Sequence, residues 1–174
     1  MMCMEKKEIE YYTWVDKIVG ELRSRHVKEH VVHGMWTPSG YFHIGNARNE
    51  LMAPLLVHDA LKDAGLKVVF NFFIDDFDDL DKIPAGIDVP REFEEQLGKF
   101  LHIVSSPVPG HKSWSDFFSS HVLEIMGEFG AKPKIYSSYK EYKKGTYDTA
   151  IRLVLNNWQK ARYIWVKITK TGYP

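Results

Sequence analysis

The chain is expected to be an α/β protein built on a parallel sheet, and three stretches predict this. His30 to Met35 is strand-like, Lys67 to Ile74 is a nearly continuous apolar strand (Val68-Val69-Phe70, Phe72-Phe73-Ile74), and Asn46 to Ala64 has the apolar spacing of a helix. Gly65 stands where a helix ends in a left-handed residue, so strand, helix and strand form one compact unit of about 45 residues. Parallel pairing with a right-handed crossover follows from that order.

The other elements follow along the chain. Ile9 to Arg25, with Trp14, Ile18, Val19 and Leu22 at helical spacing, predicts an amphipathic helix lying on the sheet. The strand at Lys67 to Ile74 is expected to be covered on both faces. Asp75 to Gly110 is acidic and broken by Pro84, Gly86, Pro90, Pro107, Pro109 and Gly110, which predicts a long excursion with one short helix at Arg91 to Leu97. Loops of that length are usually functional or mobile. Ser113 caps a helix running to Glu128 that buries Trp114, Phe117, Phe118, Val122, Ile125 and Met126. A short third strand at Lys134-Ile135-Tyr136, a small helix from Ser138 to Lys143 and a longer one from Tyr147 past Trp158 complete the pattern. No repeat or low-complexity tract appears.

Composition narrows the function classes. At 174 residues, 44% apolar and 14% aromatic, the chain is long enough for one domain burying roughly 70% of its unfolded surface. No apolar stretch approaches a membrane span. The start, Met1-Met2-Cys3-Met4-Glu5-Lys6-Lys7-Glu8, resembles neither a secretory signal nor a transit peptide, so a cytoplasmic location is expected. The single cysteine, Cys3, excludes an internal disulfide and a cysteine-based zinc site. With 23 basic and 23 acidic side chains, strong sequence-independent nucleic-acid binding by the whole chain is not expected. Two local basic clusters remain, Lys132, Lys134, Lys140, Lys143 and Lys144, and Lys160, Arg162, Lys167 and Lys170; such runs are usually solvated faces.

Chemistry concentrates in the strand-to-helix turn from Gly34 to Asn46. Glycines and short polar side chains there let a phosphate approach unpaired backbone N–H groups and the positive end of a helix dipole. Gly40 and Gly45 also satisfy plain turn geometry, and Asn46 also suits an ordinary N-cap. Past the second strand, Asp75, Asp76, Asp78, Asp79 and Asp81 gather five carboxylates at the carboxyl end of a parallel strand, the edge where open α/β sheets bind ligands. A cation is expected to visit there: the run could hold substrate ammonium groups, Mg²⁺ arriving with a nucleotide, or nothing specific, with Asp75 or Asp76 in contact and Asp79 and Asp81 solvated. No calcium-loop glycine follows the acids, and no dedicated metal ligands are assigned.

The ordered series Thr37-Pro38-Ser39-Gly40-Tyr41-Phe42-His43-Ile44-Gly45-Asn46 resembles the start of a class I aminoacyl-tRNA synthetase, with His43-Ile44-Gly45-Asn46 standing at that class's His-Ile-Gly-His signature. Arg48, Asp75-Asp76-Phe77-Asp78, Ile83-Pro84, His111 with Ser113, Tyr136 and Tyr142-Lys143-Lys144-Gly145-Thr146-Tyr147 make it most similar to the archaeal-type class I lysyl-tRNA synthetases, across roughly residues 30 to 160. The resemblance implies a Rossmann-like (HUP-type) parallel sheet with helices on both faces, the whole of 1–174 forming the first half of one catalytic domain. It implies ATP with Mg²⁺, lysine and tRNA as ligands: the lysine carboxylate attacks the α-phosphorus, and the lysyl group then passes to tRNA. His43 and Asn46 would be catalytic. Thr37, Pro38, Ser39, Gly40, His43, Gly45 and Asn46 would bind ATP, with Gly45 lying under the adenine. Gly34, Thr37, Asp75 and Asp76 would meet the amino acid.

The chain departs from the family in three places: nothing after Lys132 resembles the Lys-Met-Ser-Lys-Ser phosphate clamp, and the zinc insert and anticodon-binding region have no counterpart. In the family's five-stranded order 3-2-1-4-5, the strand before His43 is central. With two strands missing it becomes an apolar edge, so a homodimer or a second polypeptide carrying the missing half is expected. Two other readings stand beside a lysine-tRNA ligase fragment: another nucleotidyltransferase, or a synthetase for a different amino acid, using the same turn; and a non-catalytic paralogue that binds RNA or a partner protein.

Overall fold

The computed structural model describes residues 13–170; Cys3, the charged start and the beginning of the first expected helix lie outside them. Three parallel strands form the sheet: β1 (His30–Trp36), β2 (Val68–Ile74) and β3 (Lys134–Ser137). β1 pairs with β2 from His30↔Val68 to Trp36↔Ile74, and β2 pairs with β3 from Asn71↔Lys134 to Ile74↔Ser137. The expected α/β, Rossmann-like architecture holds, with helices on both sides of a sheet ordered β1-β2-β3. β1 and β3 are therefore its two edges.

The two faces are covered unequally. Val32, Gly34 and Trp36 of β1, and Phe70, Phe72 and Ile74 of β2, point into the core, while alternate side chains of β1 face outward. Val31 is 59% and Met35 45% exposed, so no described helix covers that face of β1. β2 is correspondingly buried on one side and half-buried on the other, less enclosed than its apolar run predicts.

The crossover from β1 to β2 begins earlier than expected, at α2 (Ile44–Asn46), passes through a π-helical turn over Ala47–Met52, and continues as α3 (Ala53–Asp63). It ends at Gly65, whose φ of 74° is the left-handed value that glycine adopts without strain. α1 (Trp14–Arg23) starts at a Thr13–Asp16 capping box and packs on α3 rather than on the sheet, with Arg23 donating to the Ala64 carbonyl at 3.1 Å. It forms an outer layer, which is why none of its residues is fully buried.

α4 (Trp114–Glu128) begins at Ser113, whose hydroxyl accepts the Asp116 N–H, and drives Trp114, Phe118 and Val122 completely into the core. The excursion between β2 and α4 is packed. Leu80, Leu101 and Val104 are fully buried and Phe93, in a 3₁₀ turn over Arg91–Gln96, meets Trp114; backbone bonds between Leu80 and both Lys99 and Gly98 fold the arm onto itself. Burial of those side chains gives a loop with little regular structure a fixed course.

After β3 come α5 (Ser138–Lys143), α6 (Asp148–Asn156) and α7 (Trp158–Thr169). The single long helix expected past Trp158 is two, because Asn157 leaves the helical region (φ −122°, ψ 26°). Leu153, Leu155, Trp158, Trp165 and Ile168 on this pair are exposed. No helix among the described residues is long and apolar enough to cross a membrane.

Candidate active site

The turn leaving β1 is organised by one side chain. His43 is the N-cap of α2, and its ring, rather than a hydroxyl, takes the cap: Nδ1 accepts from the Gly45 N–H at 3.1 Å and from the Asn46 N–H at 3.4 Å. Asn46 answers by accepting the His43 N–H on Oδ1 at 3.3 Å. The bare amides expected to meet a phosphate are thus already occupied. The reciprocal cap provides other donors, however. A ring accepting at Nδ1 carries its proton on Nε2, and an amide accepting at Oδ1 leaves both Nδ2 hydrogens free. The two side chains thus keep donor hydrogens while the Gly45 and Asn46 main-chain N–H groups are engaged.

Both side chains line a cleft of about 470 Å³ together with Thr37, Ser39 and Gly40 from the turn. Of the residues expected to bind nucleotide, these five converge. Pro38 and Gly45 support them from behind: Pro38 is fully buried, and a Cβ on Gly45 would press on the His43 ring at 3.0 Å from Cε1. Gly45 keeps room for the imidazole.

Gly34 supports the cleft rather than lining it. A Cβ there would stand 2.4 Å from the Glu50 carbonyl oxygen and 2.8 Å from the Phe72 ring, so its bareness lets the π-helical turn lie directly on the sheet. That close approach brings Glu50, the one carboxylate among the described residues of the cleft wall, into a lining shared with Lys82 and Pro84 from the folded-back excursion. Glu50 was missed from the sequence, although its spacing carried the signal: 43, 46 and 50 are i, i+3 and i+7 on one helix face. Lys82 had no local signal, because only the packed course of the arm brings it there.

The turn is braced from α4. Trp114 Nε1 donates to the Ser39 carbonyl at 3.2 Å, and Tyr41 sits edge-on to Phe118. Trp114→Phe should therefore lower stability by about 1–2 kcal/mol through one lost hydrogen bond and a partly empty indole site. In a urea titration the midpoint falls while the slope stays constant.

The acidic run divides. Asp76 is buried, its Oδ2 accepting from Ser137 Oγ at 2.6 Å and its Oδ1 from the Tyr139 N–H at 2.9 Å, which joins the end of β2 to the start of α5. It lines a second cavity beside β3, away from His43. Asp75 is half-buried, donates its N–H to the Trp36 carbonyl and lines neither cavity. Asp78, Asp79 and Asp81 are exposed. Among the described residues no three His, Cys, Asp or Glu side chains converge as a metal site.

Two titrating groups just beyond β3, Tyr147 and Glu141, are perturbed. Burial, reinforced by the charges of Glu141, Tyr142 and Asp75, raises the Tyr147 phenol above its ordinary value. Hydrogen bonds from Lys144 Nζ (2.7 Å) and Thr146 Oγ1 (2.8 Å) hold the Glu141 carboxyl below the usual 4.5. A depressed carboxylate contributes stability that is complete above its unfolded value and is lost as pH falls through its folded one. Acidification below 4.5 should therefore loosen the Glu141–Thr146 turn, and Glu141→Gln should flatten the acid limb of the stability–pH curve read by denaturant midpoints.

Residues 12–172 match the family described as tRNA synthetases class I (K). The chain belongs to the class I tRNA synthetases. Related proteins include the lysine–tRNA ligase of Methanocaldococcus jannaschii, 31% identical over 162 residues that cover 92% of this chain and 30% of the relative. That of Thermococcus kodakarensis is 35% identical over 155 residues (87% of this chain, 28% of the relative), and that of Pyrococcus horikoshii 34% over 149 (84% and 28%). The chain thus spans under a third of the length of these relatives. For a class I synthetase, the matched region holds the entire His43 cleft and the excursion that walls it.

Proposed function

We propose that this chain is the ATP-binding half of a lysine–tRNA ligase, acting in the cytoplasm with Mg·ATP, lysine and tRNA. The observation that carries the reading is the reciprocal His43–Asn46 cap, which leaves Nε2–H and the Nδ2 hydrogens as donors in a cleft that also holds one carboxylate, Glu50. Phosphate oxygens suit the first end and a substrate ammonium the second.

The reaction is attack by the lysine carboxylate on the α-phosphorus, forming lysyl-adenylate as the bond to pyrophosphate breaks; a terminal hydroxyl of tRNA then displaces AMP from the lysyl group. Negative charge grows on the phosphate oxygens as the bond to pyrophosphate breaks. His43 and Asn46 hydrogen-bond those oxygens, and fixed donors of this kind are worth about 3 kcal/mol each in the transition state. Their orientation is set before ATP arrives, because each side chain is held by the other's backbone. Thr37 and Ser39 offer hydroxyls along the same wall, and Lys82 supplies a positive charge opposite. Mg²⁺ needs no protein cage, since it is carried largely by the phosphates. Asp75, at the carboxyl end of β2, is retained as a candidate contact for the lysine side chain.

Among the described residues the outer face of β1 is uncovered and its edge unpaired, which favours action together with another polypeptide that supplies a strand beside β1, a second copy being the alternative source. The test is exchange of pyrophosphate into ATP across all twenty amino acids, with the chain alone and with the remainder of a full-length relative. Exchange with lysine alone supports the reading. Exchange with another amino acid, or with none required, replaces it by a different synthetase or an adenylyltransferase. Loss of all nucleotide binding with RNA binding retained leaves a non-catalytic paralogue.

A further inference from the structure

The second edge of the sheet carries a groove that the ATP cleft does not use. It encloses about 630 Å³ and is lined by every residue of β3, Lys134 to Ser137. Its opposite wall is one stripe of α4, Ser115, Ser119 and Leu123, at i, i+4 and i+8. Two small residues leave room beside the strand at one end, and Leu123 and Ile135, 45% and 40% exposed, give it apolar ground at the other. Ser119 Oγ is buried without a hydrogen-bond partner. An edge strand presents a row of unpaired N–H and C=O groups, to which a further strand can add.

Charge selects what enters. Three carboxylates line the groove and all are engaged: Asp76 by Ser137 and Tyr139, Glu141 by Lys144 and Thr146, and Asp116 by the Lys112 N–H with His111 nearby. Lys112, Lys134 and Lys140 line it too, and among the described residues none has a carboxylate within ion-pair distance. Hydrogen bonding to Tyr136 keeps the Lys134 ammonium firmly charged. The slot is therefore mixed polar and apolar in its lining and carries three lysines with no carboxylate partner among the described residues.

We propose that the β3–α4 groove binds an extended acidic peptide segment of a partner protein, which adds as a fourth strand alongside β3 with its carboxylates on Lys134 and Lys140. Four strand residues span about 13 Å, so four to five residues of the partner are engaged. Ser119 Oγ gains a backbone partner in that slot. The surface is independent of the proposed ligase activity, since completing the sheet beside β1 leaves β3 at its edge.

The test is titration of the isotopically labelled chain with the hexapeptide acetyl-Val-Glu-Val-Glu-Val-Glu-amide, read by amide chemical shifts and hydrogen exchange. Shifts and exchange protection confined to residues 134–137 and 115–123 are expected, with the affinity falling about tenfold on Lys140→Glu and the binding salt-sensitive. Ser119→Leu, which fills the slot, abolishes binding; should that variant fail to fold, the exposed Lys134→Glu and Lys140→Glu changes carry the same test. No perturbation of β3 at millimolar peptide, equal affinity for the lysine-substituted hexapeptide, or perturbation by a single-stranded RNA dodecamer in place of the peptide would each overturn the proposal.

Discussion

Asn46→Asp should leave the fold intact and remove ATP binding. The aspartate keeps an oxygen where Oδ1 accepts the His43 N–H, so the reciprocal cap survives, and aspartate is as good a residue at a helix start as asparagine. The second arm changes from a two-hydrogen donor to an anion facing the triphosphate. A lost donor of this type costs about a hundredfold or more in rate, and repulsion between like charges adds to it. His43→Asn makes the complementary separation. Asparagine caps the helix well but is too short to present a donor where the imidazole Nε2 stands, so stability stays near that of the parent while activation falls by about a hundredfold or more. His43→Ala should lose both, with roughly 1 kcal/mol of stability gone with the cap. Denaturant midpoints measured beside pyrophosphate exchange distinguish the two roles, and unchanged exchange in both Asn46→Asp and His43→Asn would remove these residues from the chemistry.

Gly34→Ala carries the largest expected loss of stability. Its new methyl would lie 2.4 Å from a main-chain oxygen, that of Glu50, and 2.8 Å from the Phe72 ring, and neither is the free end of a flexible side chain. Either the π-helical turn lifts or β1 and β2 part. Overpacking of this kind costs about 3 kcal/mol. Because Glu50 rides on the turn that must lift, the amino-acid end of the cleft should suffer more than the phosphate end: lysine affinity falls further than ATP affinity. Gly65→Ala is the control, at a left-handed glycine with no atom within 4 Å of the added methyl. It should cost only about 1 kcal/mol through backbone strain and leave both affinities alone.

How much of this was legible depended on how local each cause was. β1, β2 and α4 could be read because their periods and the Ser113 cap are properties of short windows. The five cleft residues Thr37, Ser39, Gly40, His43 and Asn46 could be read because a strand-to-helix turn places its own residues at the same point. Glu50 was within reach of the same periodicity but was hidden by a π-helical turn that the apolar spacing does not announce. The position of Gly34 at the strand end is legible, but its close approach to a turn more than a dozen residues later in the chain is not, because only the tertiary fold makes that contact. The excursion looked mobile because Pro, Gly and Asp outnumber its anchors; Leu80, Phe93, Leu101 and Val104 show no period, and only the tertiary core makes sense of them. A histidine ring as an N-cap lies outside the usual Ser, Thr, Asp and Asn choices, so its engagement of the Gly45 and Asn46 N–H groups, which the turn was expected to leave bare, was not legible.

Titration calorimetry of Mg·ATP into the complex of this chain with the remaining part of a full-length relative bears most directly on the claim that His43 and Asn46 grip a triphosphate. A binding heat is expected with the unaltered chain, and it should vanish with Asn46→Asp in a complex of unchanged stability. Equal heats from the two proteins, or none from either, would contradict that claim.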